Sequence, residues 1–128
     1  MKRKILVSLF VMVLLVGLLS CASFIKNSYV TLNESRDLYY TAMGVAADFQ
    51  AKGVIDQAKR DEINKAAKIY KEAHNLAVDA LAVYKRTSLA EDKDKFSTAL
   101  SAVFTKWAQV AALINAIRAN TIQSTLAK

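Results

Sequence analysis

The fold is decided by residues 56–86, which read DQAKRDEINKAAKIYKEAHNLAVDALAVYKR and carry the clearest helical pattern of the chain. Apolar side chains recur there every three or four residues, the spacing of one face of an α-helix. The face consists of Ile63, Ala66, Tyr70, Ala73, Ala77, Ala80 and Tyr84. A second apolar row, Ile69, Leu76 and Val83, predicts that this helix contacts more than one partner. Asp56 is its predicted N-cap.

The residues before this segment predict a first helix. It is expected to begin near Thr31, because Thr31 and Glu34 have the spacing of a capping box. Its expected inward face is Leu38, Ala42, Val45, Ala46 and Phe49. Gly53 is expected to end the helix in a left-handed conformation that brings Val54 next to Phe49, as in a Schellman motif.

The residues after this segment predict a third helix. Ser88 and Glu91 have capping-box spacing at its start, and Asp92 or Asp94 is the alternative cap. Its apolar positions are Phe96, Ala99, Leu100, Val103, Phe104, Trp107, Val110, Leu113, Ile114 and Ile117. The polar residues 121–128 are expected to form a frayed tail.

The pattern as a whole predicts an all-α protein. The chain has no proline, and no stretch alternates cleanly with a period of two residues, so we expect no strands. Three helices of similar length joined by short turns must run antiparallel. We therefore expect an up-down-up three-helix bundle over residues 31–120.

The first twenty residues have the zones of a secretory signal peptide. Lys2, Arg3 and Lys4 form a basic start, and residues 5–19 are almost wholly apolar. A helix over that apolar stretch reaches only about 22 Å, short of the roughly 30 Å of a bilayer core. The length favours a cleaved signal peptide, residues 1–20, over a permanent membrane span.

The residues at the end of this signal carry a resemblance. Leu18, Leu19 and Ser20 precede Cys21, and the run resembles the lipobox of bacterial lipoprotein precursors. The resemblance implies that the Cys21 thiol takes a diacylglyceryl thioether and that signal peptidase II cuts after Ser20. It also implies further acylation of the new amine, with palmitate as the fatty acid to label. An ordinary signal peptide or an uncleaved anchor with a chance cysteine is the alternative.

A lipid on Cys21 implies an address in the cell envelope, since two or more acyl chains anchor a protein stably. In Gram-negative lipoproteins, an aspartate after the cysteine favours retention in the inner membrane. Ala22 stands here, which by analogy favours the outer membrane, facing the periplasm. A Gram-positive host would place the protein outside its only membrane. Residues 21–30 are expected to be a short tether that keeps the domain near the bilayer.

The charge of the chain agrees with a membrane partner better than with a nucleic acid. Removal of the signal lowers the formal net charge from +7 to +4, because Lys2, Arg3 and Lys4 leave with it. The remaining charges of both signs are interspersed. This distribution predicts a solvated surface with some attraction to anionic lipid or surface glycans, and no nucleic-acid partner.

The sequence shows no catalytic or metal-binding constellation. His74 is the only histidine and lacks cysteine or paired carboxylates at ligand spacing, so we expect it at the core edge or surface, with no metal. The acidic run at residues 91–94 lacks the glycine and distal glutamate of an EF-hand. No phosphate loop, dinucleotide fingerprint or hydrolase elbow is present. We therefore expect no enzymatic activity and no cofactor besides the lipid on Cys21.

The aromatic residues supply the candidate contact positions. Most fall at core spacing, but Tyr39 and Tyr40 are neighbours and cannot both face inward. Whichever points outward is expected to contact a partner, together with any exposed face of Trp107. The apolar stretch at residues 108–117 is expected to be a core face, because polar residues interrupt it within a length too short to span a bilayer.

Three functions are compatible with these features. The first is a non-enzymatic envelope lipoprotein that acts as a structural or interaction module, binding another envelope protein or itself. The second is a lysis or membrane-disrupting lipoprotein of the kind that prophages encode, although spanin lipoproteins are often proline-rich and this chain has no proline. The third is a carrier of a small apolar ligand between the helices.

Overall fold

Three α-helices contain nearly all of the residues that the computed structural model describes, 20–126. They are α1 (Ser20–Ala51), α2 (Gln57–Thr87) and α3 (Ala90–Leu126). No strand occurs among the described residues. All three pairs of helices contact one another, and α2 packs against α3 most extensively. The predicted all-α class and a helical bundle are confirmed.

The predictions for the N-terminal region fall mostly outside the described residues. Leu18, Leu19 and the rest of the signal peptide before Ser20 are among them, and the side chains of Ser20, Cys21 and Ala22 are not described either. At the other end, residues 127 and 128 are outside.

Helix α1 already includes Ser20, the first described residue, eleven residues before the predicted start near Thr31. Residues 21–30, expected to form a tether, are therefore helical, and Thr31 and Glu34 lie inside the helix instead of capping it. The cause is tertiary packing. The ring of Phe24 meets Tyr84 edge to face, with ring centroids 5.8 Å apart.

The turn between α1 and α2 has the predicted chemistry. Gly53 has a φ of +72°, and its N–H donates to the Gln50 carbonyl at 3.1 Å. The Val54 N–H donates to the Phe49 carbonyl at 2.8 Å. These are the two hydrogen bonds of a Schellman motif, which confirms the predicted stop. Asp56 then caps α2, as predicted, by accepting from the N–H three residues later at 2.9 Å.

The turn between α2 and α3 differs from the prediction. Ser88 has a φ of 54° and closes α2, with its N–H donating to the carbonyl four residues earlier. It therefore does not form a capping box with Glu91. Leu89 occupies the position before α3, where its carbonyl accepts from the N–H four residues later at 3.1 Å. Asp92 and Asp94, the alternative caps, both lie inside α3.

Helix α3 also extends further than predicted, to Leu126 instead of fraying after Asn120. The hydroxyls of Thr121 and Thr125 donate hydrogen bonds to the backbone carbonyl oxygens four residues earlier, at 2.9 and 3.0 Å. These polar side chains therefore have hydrogen-bond partners on their own helix. The polar composition of residues 121–126 therefore marks an exposed helix end, and not a loss of helix.

The buried side chains of all three helices recur with a seven-residue period. On α1 they are Ser28, Leu32, Ser35, Tyr39 and Ala46; on α2, Ile63, Ala67, Tyr70, Ala77, Leu81 and Tyr84; on α3, Phe96, Val103, Val110, Ile114 and Ile117. Each spacing is three, four or seven residues, which keeps the average repeat of 3.5 residues of helices that pack along a shared seam. The period explains why small or polar residues lie in the core wherever they fall on this stripe.

Four residues of the predicted apolar rows lie outside the seam because of this period. Leu38 is 56% exposed, since the stripe of α1 passes through its neighbour Tyr39. On α2, Ile69 and Leu76 border the seam without entering it, and Leu76 is 66% exposed. On α3, Phe104 is 47% exposed, directly after the buried Val103.

Candidate contact surface around an aromatic cluster

Four aromatic side chains from all three helices form one connected group, here called the aromatic cluster: Tyr39, Tyr40, Tyr70 and Trp107. Tyr39 of α1 stacks on Tyr70 of α2, with ring centroids 4.8 Å apart and planes inclined by 22°. Trp107 of α3 meets Tyr70 edge to face at 5.9 Å. The cluster therefore joins the three helices near their middle.

The two neighbouring tyrosines of α1 point in different directions, as predicted. Tyr39 is 6% exposed and lies in the core, whereas Tyr40 is 59% exposed. The Tyr40 ring still contacts the Tyr39 ring, at a centroid distance of 5.4 Å and an angle of 62°. Tyr40 is thus an exposed aromatic residue held against a buried one, and it is the outward member of the predicted pair.

A buried hydrogen bond fixes the centre of the cluster. The Tyr70 hydroxyl and the Ser35 Oγ lie 2.6 Å apart, and both residues are buried. Burial raises the pKa of the Tyr70 phenol above its ordinary value of 10.0, and the hydrogen bond to Ser35 opposes that rise in part. The phenol therefore stays neutral at every physiological pH and acts as a structural group.

His74 lies half-buried beside the cluster, in agreement with the predicted place at the core edge. Its Nε2 lies 3.0 Å from the Leu32 carbonyl oxygen, and its ring centroid lies 5.9 Å from that of Tyr70. Because a carbonyl can only accept, the Nε2–H of His74 donates in this bond. The histidine thus ties α2 to the backbone of α1 across the seam.

Two openings flank the aromatic cluster. A cavity of about 70 Å³ lies between α1 and α2, where Arg36 and Lys71 join Tyr40 and His74 in its lining. A groove of about 190 Å³ runs between α1 and α3. Its apolar wall includes the half-buried Trp107 and the exposed Leu38. Each opening combines an aromatic wall with a cationic rim, since Arg118 lines the groove as well.

Another opening, of about 530 Å³, lies between the α1–α2 turn and the end of α3. Its lining includes the polar residues Asp56, Lys59 and Asn120. Nearby on α2, the Nη1 atom of Arg60 is buried with no hydrogen-bond partner among the described residues. None of the predicted contact residues lines this opening.

Helix α3 is, within residues 20–126, the one helix that is long and apolar enough to cross a membrane by length and composition. Its most apolar window has a mean hydropathy of 1.3, and 22% of that window is buried. The core helix of a soluble bundle passes the same test. Val110, Ile114 and Ile117 are buried on the shared seam, which agrees with the core face expected for residues 108–117.

The acidic run at the start of α3 forms local pairs. Lys95 Nζ lies 3.2 Å from a Glu91 carboxylate oxygen, and Asp92 accepts from the Thr87 hydroxyl. Lys93 lies over the Phe24 ring, 4.6 Å from its centroid. Among the described residues, no three side chains of the metal-binding types lie close enough together to hold a metal ion.

Sequence reasoning missed the polar members of this region. Ser35 was not singled out, and its part in the core was hidden because a serine breaks an apolar pattern. The seven-residue spacing of Ser28, Ser35 and Ala42, with the core positions between them, is the signal that could have identified Ser35.

Comparison of the chain with protein-family models, with curated proteins and with solved structures finds no match.

Proposed function

We propose that this chain is a lipid-anchored, non-enzymatic protein of the cell envelope, whose helical bundle serves as an interaction module. The observation that carries the proposal is the pair of tyrosines on α1. Tyr40 is exposed, while its ring rests on Tyr39, which is itself stacked on Tyr70. Such a supported aromatic loses little conformational entropy on binding and is typical of protein interfaces.

In this proposal, the helices form an up-down-up antiparallel bundle. Contacts between α1 and α2 support this arrangement. Phe24, early in α1, contacts Tyr84, late in α2. The Gln50 amide, at the end of α1, donates to Gln57 at the start of α2, at 2.9 Å. The Phe24 ring also meets Phe96 at 5.9 Å, which supports α1 and α3 starting from the same end.

The anchor is the lipid on Cys21. The lipobox formed by Leu18, Leu19 and Ser20 supports it, as does the signal peptide before it. In a Gram-negative host, Ala22 favours the outer membrane, facing the periplasm. The partner is another envelope protein or a second copy of this chain, and the contact includes Tyr40 and the exposed face of Trp107.

The experiment is site-specific photocrosslinking in living cells. A photoreactive phenylalanine analogue replaces Tyr40 in the full-length chain, and the matched control carries it at Lys65, an exposed residue of α2. We expect a defined crosslinked species at position 40 but not at position 65, and its loss when Cys21→Ser prevents anchoring. Equal crosslinking at both positions, or none at position 40 in correctly anchored protein, would contradict the proposed contact surface.

A second candidate function is disruption of a membrane, as in prophage-type lysis lipoproteins. The hydropathy of α3 and its exposed Phe104, Ile122 and Leu126 favour it. Induced expression distinguishes the two functions. Lysis that disappears with Phe104→Ser supports disruption, whereas normal growth at high expression contradicts it.

A further inference from the structure

The end of the bundle next to the anchor has a distinctive surface. Phe24, one turn beyond Cys21, packs between Tyr84 and Phe96. These two rings belong to the end of α2 and the start of α3, so the turn between those helices lies beside the beginning of α1. Leu89 sits in that turn and is 57% exposed.

Four basic residues lie at the same end of the bundle as this exposed leucine. Lys85 and Arg86 fill the last turn of α2, and both are exposed. Lys26 is exposed near the start of α1, and Lys93 covers the Phe24 ring. Two of the acidic residues of the same region have local partners: Glu91 pairs with Lys95, and Asp92 accepts from Thr87, whereas Asp94 is exposed.

The opposite end of the bundle differs in charge. Asp48 pairs with Lys52 at 2.8 Å, and Lys59 pairs with Glu62 at 2.9 Å. Helix α3 carries no basic residue in its last turn there. That end has exposed apolar residues as well, such as Val54 at 41%, but without a comparable excess of cations.

The difference between the two ends of the bundle matters because the segment next to the anchor is helical and does not form a flexible tether. Residues 20–30 are helical, and Phe24 packs into the bundle, so a lipid on Cys21 is joined to the domain through a rigid element. A flexible tether would let the domain rotate freely above the bilayer. A helical attachment instead holds the adjoining end of the bundle at the level of the lipid headgroups.

We infer that the α2–α3 turn is a membrane-contact surface for anionic lipid, with Leu89 inserted among the headgroups and Lys85 and Arg86 bound to lipid phosphates. An exposed apolar side chain within a basic rim, next to a lipid anchor, is the combination that binds such a surface. The inference rests on the proposed lipid anchor. It places the cluster residue Trp107 about 25 Å and the α1–α2 turn about 45 Å from the bilayer, at 1.5 Å per residue.

The test uses full-length, lipidated protein in vesicles of phosphatidylethanolamine and phosphatidylglycerol. Cys21 is the only cysteine, and its sulfur is occupied by the thioether in the lipidated protein, so a cysteine introduced at position 89 can be labelled selectively. The matched control is Val54→Cys, an exposed apolar residue in the turn at the other end. A nitroxide on the lipid headgroup then quenches whichever fluorophore lies near the bilayer surface.

We expect strong quenching of the label in Leu89→Cys and none in Val54→Cys. Lys85→Glu with Arg86→Glu should lower the quenching at position 89 by roughly twofold or more, since each reversal replaces attraction to anionic lipid with repulsion. Lys65→Glu with Lys68→Glu, farther along the same helix, should leave it unchanged. Quenching at position 54, or none at position 89 in protein that carries palmitate, overturns the inference. Absence of palmitate contradicts the proposed function itself.

Discussion

The hydroxyl of Tyr70 and the hydroxyl of Ser35 lie 2.6 Å apart across the α1–α2 seam, and each is the buried polar partner of the other. The Tyr70 ring meanwhile contacts Tyr39 on one side and Trp107 on the other. One residue thus connects all three helices through both polar and apolar contacts. Tyr70 also holds the Tyr39 ring, against which the exposed Tyr40 ring rests.

The Tyr70–Ser35 bond should show energetic coupling in a double-mutant cycle. Ser35→Ala leaves the Tyr70 hydroxyl buried without its partner and should lower the free energy of unfolding by about 1–3 kcal/mol. Tyr70→Phe should cost about 1 kcal/mol, because Ser35 can turn to a carbonyl of its own helix. The double variant should lose less than the sum of the two. Urea unfolding followed by circular dichroism measures this, and strict additivity would show that the bond contributes nothing.

The stability of the bundle should fall at high pH because of Tyr70. Folding raises the pKa of this phenol above 10.0, mainly through burial, so the folded state favours its neutral form. The resulting stability is complete below the unfolded pKa and is lost as the pH rises through the higher folded pKa. Unfolding curves between pH 9 and about 11 should therefore show a steeper loss for the natural chain than for Tyr70→Phe. Parallel curves for the two proteins would sink this prediction.

Gly44 and Gly53 should respond in opposite ways to substitution by alanine. Gly53 has a φ of +72°, so Gly53→Ala should lower the free energy of unfolding by about 1 kcal/mol through backbone strain alone. Gly44 lies inside α1, and a methyl group there meets nothing within 4 Å. Gly44→Ala should therefore raise stability by up to about 1 kcal/mol. Thermal unfolding of both variants measures the difference, and a shift of the same sign in both would contradict the assigned conformations.

Substitution of Tyr39 should affect the stability of the fold, whereas substitution of Tyr40 should affect partner binding. Tyr39→Ala opens a cavity beside Tyr70 and should lower the free energy of unfolding by about 3 kcal/mol. Tyr40→Ala should change it by less than about 0.5 kcal/mol, because the side chain is largely exposed. If the proposed contact surface is correct, Tyr40→Ala should nevertheless weaken association with the envelope partner. Partner association can be followed by the yield of a crosslink from a second position, such as Leu38, with total protein as the control.

Local sequence chemistry predicted the α1–α2 turn correctly, but not the start of α1. Gly53 and Asp56 act through hydrogen bonds to residues within five positions, so their roles can be read from short segments. The helicity of residues 20–30 depends on Phe24 meeting rings more than fifty residues away. A sequence pattern of neighbouring residues contains no information about contacts over such a separation. The Thr31–Glu34 spacing therefore suggested a helix start that tertiary packing overrides.

The inward face of α1 could be predicted only in part, because its seam contains polar residues. Ala42, Ala46 and Phe49 lie on or beside the seam as expected, whereas Leu38 does not. Hydrophobicity favoured Leu38 over Ser35, but burial follows the seven-residue register, and Ser35 is accepted because Tyr70 satisfies its hydroxyl. The same holds for the candidate contact surface. The sequence showed that Tyr39 and Tyr40 cannot both point inward, but the seven-residue register of the buried positions decides that Tyr40 is the exposed one.

The proposed function depends first on the lipid on Cys21, and metabolic labelling tests for this lipid. The full-length chain with a C-terminal tag is expressed in a Gram-negative host with labelled palmitate, beside Cys21→Ser, and the two membranes are separated. We predict a labelled protein of mature length in the outer membrane and no label on the serine variant. Unlabelled protein of full precursor length would contradict this prediction and would make the N-terminal segment a retained anchor.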